Sequence, residues 1–88
     1  MRQNRPNPFN PSTIIGYELA RAGHVTVRIY DVRGALVKTL EDRDRPAGRY
    51  EVGWHGENER GERVSSGVYF YRLVAAGHSQ TRKMVILK

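Results

Sequence analysis

The chain has 88 residues; 15 are Lys or Arg and nine are Asp or Glu, which gives a formal net charge of +6, and there is no Cys. One small domain fits that length, with a thin core, because a chain of this size buries only about 60% of its unfolded surface. A hydrophobic fraction of 39% suits a globular chain, and these counts argue against a large enzyme, a helical membrane span of about 18 apolar residues and a disulfide-stapled scaffold.

Residues 1–12 read as a Pro/Asn-rich linker and residues 13–88 as the folded domain. Three of the four prolines, Pro6, Pro8 and Pro11, crowd the stretch from Arg5 to Ser12. Proline fixes φ and removes a donor, so the stretch is expected to be extended, with Phe9 available to pack on the domain. The opening from Met1 to Pro6 is polar and does not read as a signal peptide.

From Thr13 onward the period is two. Ile15, Tyr17 and Leu19 share one face of the first strand, and Val25, Val27 and Ile29 share one face of the second. Ala35–Leu40 is a less regular strand. Arg49–Trp54 sets Tyr50, Val52 and Trp54 together, Val68–Val74 is rich in aromatics, and Ser79–Leu87 closes the chain. Turn residues separate these runs: Asp31–Gly34, a charged loop over Asp42–Gly48, Asn58–Gly61, Ser65–Gly67 and Ala75–His78. No segment keeps a helical period. Six or seven short strands with turns between them predict an all-β sandwich or small barrel. The expected core is Ile15, Tyr17, Leu19, Val25, Val27, Ile29, Leu40, Tyr50, Val52, Trp54, Tyr69, Tyr71 and Leu73, with either Met84 and Ile86 or Val85 and Leu87.

Catalytic and metal-binding patterns are weak. His24, His55 and His78 stand apart at turns or strand ends, without the ligand spacing of a zinc site. Ser65 and Ser66 precede Gly67 without forming a nucleophile elbow. Glu57, Glu59 and Glu62 lie in a charged hairpin with no burial to tune them. Asp42, Asp44, Glu57, Asn58 and Glu59 match no calcium loop. No cofactor or small-molecule substrate is expected. The basic excess is scattered among acids, and most aromatics fall on the core face, with Phe70 the main exposed ring; nucleic acid is therefore an unlikely partner.

Several motifs in order carry a resemblance. Asn7-Pro8-Phe9-Asn10-Pro11-Ser12-Thr13-Ile14, with Tyr17 and Leu19, is similar to the start of the type A C-terminal sorting domains of the bacterial type IX secretion system. Val27–Gly34 resembles their middle. Pro46-Ala47-Gly48-Arg49-Tyr50-Glu51-Val52 resembles the Pro-x-Gly-x-Tyr-x-Val element, Gly67-Val68-Tyr69 the Gly-Val-Tyr strand, and Lys83–Lys88 the Lys-hydrophobic terminus. A sister family also fits: Trp54–Gly61 with Val64 and Ser66–Tyr69 resembles the Ig-like domain of the flagellar hook-capping protein, although His55 stands where that family commonly has Asp.

Both resemblances imply an Ig-like antiparallel β-sandwich of about seven short strands, and a module rather than an enzyme. The sorting family implies a position at the C-terminus of a larger exported protein, secreted or at the cell surface, with an upstream cargo domain. Its partners would be an outer-membrane translocon and a sortase-like peptidase that removes the domain and can attach the cargo to lipopolysaccharide. The isolated domain is expected to be monomeric. Residues carried over for translocon recognition are Pro46, Gly48, Tyr50, Val52, Gly67, Val68, Tyr69, Lys83, Val85 and Lys88. The final strand could be read by edge addition, through main-chain hydrogen bonds and alternate side chains. Two other readings stand beside this one: an assembly or adhesion module, and a basic nucleic-acid binder.

Overall fold

The computed structural model describes residues 1–9 and 12–87. It is all-β, with six strands among the described residues: β1 (Thr13–Leu19), β2 (Gly23–Tyr30), β3 (Leu36–Arg45), β4 (Gly48–Trp54), β5 (Gly67–Ala75) and β6 (His78–Ile86). β1 and β4 form a two-stranded sheet, and a four-stranded sheet runs β3-β2-β5-β6, with every pairing antiparallel. The two sheets pack as a sandwich. A seventh strand is missing from this set because residues 57–63 make a single bridge, Glu57 to Arg63, around a tight turn. In that turn the Asn58 Oδ1 accepts the backbone N–H of Arg60 and of Glu62.

The alternation places the core. Ile15, Val25, Val27, Ile29, Tyr71 and Met84 are fully buried, and Trp54 and Tyr17 nearly so. Trp54 holds the centre: Phe9 and Tyr69 meet it edge-on at 5.8 and 5.5 Å between ring centroids, and its Nε1–H donates to the Glu57 carbonyl at 2.8 Å. Such T-shaped pairs add to the area the rings bury. On the last strand Met84 and Ile86 point inward, not Val85 and Leu87.

Leu40, Tyr50 and Val52 are only half-buried against the core. Leu40 is the extra residue of a β-bulge, since Val27 faces Glu41 and Arg28 faces Thr39. Tyr50 and Val52 lie on an edge strand, in a sheet too narrow to be covered fully. The charged stretch expected as a loop from Asp42 is instead the end of β3, which runs to Arg45. Its acids and arginines alternate on an edge strand, where both faces tolerate charge and the charges discourage further pairing. Asp42 and Asp44 face Thr26 and His24 on the outer side. Arg45 folds back to Glu41 at 3.1 Å and lies over the Tyr50 ring at 4.3 Å.

Residues 1–9 lie along the open side of the sandwich and touch both sheets. Arg2 and Arg5 donate their N–H groups to Gly16 and Ile14 of β1, and Arg5 accepts in return from Ile14. Four residues on, Phe9 is bonded to β6: its N–H donates to the Val85 carbonyl at 3.0 Å, and the Leu87 N–H donates to its carbonyl at 2.9 Å. Between these ends lies a buried polar knot. The Asn4 N–H donates to the Tyr71 hydroxyl, that hydroxyl donates to the Arg2 carbonyl, and Asn4 Nδ2 donates to Thr13 Oγ1. Asn4 and Thr13 are 3% and 2% exposed, a burial that would be costly without these bonds.

Candidate interaction surface

The motif residues fall into two groups. Pro46, Gly48, Tyr50 and Val52 line the crossover from β3 to β4 and β4 itself, which pairs only with β1. Gly67, Val68 and Tyr69 open β5 and lie directly opposite Ile86, Val85 and Met84 of β6. The Gly-Val-Tyr and Lys-hydrophobic elements are thus neighbours in one sheet, while the proline element belongs to the other. Lys88 lies outside the described residues.

One local device recurs in the two groups. The Tyr50 hydroxyl donates to the Pro46 carbonyl at 2.6 Å, and the Tyr69 hydroxyl donates to the Ser65 carbonyl at 2.8 Å. Each bond spans four residues, as in the tyrosine corner of Ig-like domains. Two residues before each tyrosine stands a glycine with positive φ, +153° at Gly48 and +137° at Gly67. A side chain rarely adopts that backbone, so glycine at these two positions answers to the turn of the chain; a Cβ at Gly48 would meet the Tyr50 side chain only in ordinary contact. Both motifs therefore have a structural explanation: each starts a strand by turning the chain through a glycine and pinning it with a phenol.

On β6, Lys83 is exposed and faces outward opposite Phe70, and Val85 is half-buried. The outer edge of the last part of this strand, from Lys83 to Leu87, is already occupied. Asn7 Oδ1 accepts the Val85 N–H at 2.9 Å, Phe9 takes the Val85 carbonyl, and Gln3 Nε2 donates to the Lys83 carbonyl at 2.9 Å. A partner strand adding at this edge must first displace residues 3–9. An open groove of about 590 Å³ runs between the Asp31–Ala35 turn and the start of β5, walled in part by Gly67, Val68 and Tyr69.

The titratable groups are structural in their contacts. His24 lies between two carboxylates, Nε2 to Asp42 at 2.6 Å and Nδ1 to Asp44 at 2.8 Å. Hydrogen bonds donated to Asp44 and then Asp42 raise its pKa above the ordinary imidazole value. The two acids take opposite edges of the ring. Among the described residues, no group of three or more His, Asp or Glu side chains is arranged to hold a metal ion. Asp31 is held below the usual carboxylate range, first by the N–H of Ala35; it also accepts from Arg33 N–H and so ties the turn. Sequence reasoning missed Asn4, Asn7 and Arg45. Asn7, set between Pro6 and Pro8, was the one of these with an available signal.

A two-sheet antiparallel sandwich whose strands β4 and β5 each begin at a glycine pinned by a tyrosine corner defines an Ig-like β-sandwich module. A family model for the FlgD Ig-like domain matches residues 9–79, and the chain belongs to that family. No curated protein matches it. Among solved structures, the hook-capping FlgD of Xanthomonas campestris is similar, with a TM-score of 0.67 and 24% identity over 90% of this chain and 58% of that one. Dimeric latent PorU of Porphyromonas gingivalis gives 0.73 and 23% over 97% of this chain and 9% of that one. PorZ of the same organism, a surface component of the type IX secretion system, gives 0.70 and 24%, over 98% and 11%. The chain thus spans little more than half of the first of these and about a tenth of the other two. These likenesses show a shared fold.

Proposed function

We propose that this domain is a non-catalytic sorting and anchoring module. It directs a larger exported protein through the type IX secretion system to the cell surface. Its partners are the outer-membrane translocon, a sortase-like peptidase and an upstream cargo domain of the same chain. The reading calls for no cofactor and no small-molecule substrate, and it treats the isolated domain as a monomer. The observation that carries it is the run of sorting-family motifs, in order from Asn7 to the terminal lysine, whose last two members lie side by side on β5 and β6. The fold shared with PorU and PorZ agrees with it. Because residues 3–9 cover the β6 edge from Lys83 onward, recognition of this terminal run uses outward side chains such as Lys83, or follows displacement of that segment. Lys88 enters on the sequence resemblance alone.

The test is export of a secreted reporter fused to this domain, in a host with a working type IX system. The K83S/K88S double variant removes both terminal charges and leaves the buried Met84 and Ile86 in place. Surface reporter from the parent fusion and loss of it from the double variant are expected. Retention of both fusions, with the domain folded by circular dichroism, would favour a second reading. Membership of the FlgD Ig-like family supports that one: an assembly module of the hook-cap kind.

A further inference from the structure

The outer face of the four-stranded sheet carries an arrangement that stability does not require. Antiparallel register sets Arg28 directly opposite Arg72, and Tyr30 directly opposite Phe70. Residues two apart on a strand share a face, so a pair of guanidinium groups adjoins a pair of rings. Lys83 lies opposite Phe70, and Leu36 opposite Tyr30. Like charges directly opposite one another destabilise a sheet. Asp42 reaches Arg28 only at 3.8 Å, and among the described residues neither Arg72 nor Lys83 has an ion-pair partner.

The apolar side of this patch is open as well. Leu36 is 52% exposed, and an open hollow of about 320 Å³ lies against Tyr30, Phe70 and Arg72, its one carboxylate, Asp31, already bonded to the Arg33 and Ala35 N–H groups. That volume is at the bottom of the range for small-molecule sites. It suits one or two side chains of a partner. The cations occupy only two successive rows of the sheet, and at about 3.3 Å per residue they cover a short distance along the strands. Toward the other end of the same face stand Asp42 and Asp44, flanking His24. A long polyanion laid along the strands would meet those carboxylates. A short cluster of carboxylates centred on Arg72 and Lys83, beside an apolar side chain, would stay clear of Asp44 and reach at most Asp42, which already faces Arg28.

We propose that this face docks an acidic segment of a partner protein, in which carboxylates flank a leucine or an aromatic residue. The carboxylates meet Arg28, Arg72 and Lys83, and the apolar side chain takes the hollow beside Tyr30 and Phe70. This proposal is independent of the export reading.

The test is a titration of the whole ¹⁵N-labelled domain followed by amide chemical shifts. Three probes are used: a short peptide alternating Glu and Asp with Leu and Phe, the same peptide with Gln and Asn for its acids, and a short oligothymidylate. The expected result is shifts at Arg28, Tyr30, Phe70 and Arg72 with the acidic peptide. R72S should weaken that binding by about tenfold, as loss of one charge-assisted contact would, and K83S offers a second exposed site should R72S fail to fold. Equal binding of the uncharged peptide would overturn the charge argument. Stronger binding of oligothymidylate on this face would assign it to nucleic acid instead. Shifts confined to other surfaces, or none at all, would remove the proposal.

Discussion

Phe9→Ala tests whether the N-terminal segment is part of the fold. Phe9 is 2% exposed and packs edge-on against Trp54 at 5.8 Å. Truncating a buried phenylalanine costs about 3–5 kcal/mol, aromatic contact included. A domain of 88 residues has a total stability of about 4–13 kcal/mol at the usual stability per residue. The substitution should therefore remove a large share of it. At about 4–8 °C per kcal/mol for a domain of this size, Tm should fall by at least about 12 °C. Differential scanning calorimetry of parent and variant gives the answer directly. Hydrogen exchange adds a local readout, because the Val85 and Leu87 amides are bonded to Asn7 and Phe9. Both amides should lose protection before those of β2. A Tm change under about 2 °C, with protection at Val85 intact, would refute this account and leave residues 1–9 as a tether that merely rests on the domain.

Ala76 and Gly77 form the two-residue turn of the β5–β6 hairpin, with φ of +52° and +77°. Asparagine tolerates the first of these positions better than alanine does, so A76N should stabilise the domain by about 0.5–1 kcal/mol in urea denaturation. Gly48→Ala should cost about 1–3 kcal/mol from its backbone conformation, and Tyr50→Phe about 1 kcal/mol from one lost hydrogen bond; equal, negligible effects would deny the corner its structural role. His24 faces two carboxylates, and only the protonated ring offers each of them an N–H. Its folded pKa is raised, so this stabilisation is present below the unfolded value of about 6.5 and is lost as pH rises through the folded pKa. The urea midpoint of the parent should therefore fall relative to that of H24N across this window, and parallel profiles would show that His24 contributes nothing.

The positions of all six strands were legible in the sequence, though β3 only in part: β1, β2 and β5 each bury one face and alternate accordingly, whereas no residue of β3 is fully buried. Val25, Val27 and Ile29 set the pattern, and Tyr69, Tyr71 and Leu73 repeat it across the sheet. The choice between Met84 and Val85 was not legible, since the terminal run is apolar on both faces and only the register with β5 decides. The end of β3 was hidden for a related reason. Acids and arginines alternating from Asp42 to Arg45 look like a loop until His24 and Thr26 are known to lie opposite. Leu40 satisfied the hydrophobic pattern, yet a bulge carries it to the margin. The site was legible as a set of motifs, but not in what the motifs do. Only coordinates reveal that Tyr50 and Tyr69 reach the carbonyls of Pro46 and Ser65, or that β6 already has a neighbour. Phe9 was foreseen as a packing residue; its hydrogen bonds to β6 depend on contacts between opposite ends of the chain, which local patterns do not encode.

The bridge between Phe9 and Ile86 is parallel, and this has a mechanical consequence. Tension applied at the first residue and at the last pulls the short segment at Phe9 and the end of β6 in opposite directions along their own axes. The bonds from Phe9 to Val85 and Leu87, and from Asn7 to Val85, then stretch together rather than parting one after another. Forced opening is governed by the rate of the unfolding step, and a set of bonds sheared at once resists a pull far better than a hairpin peeled from its end.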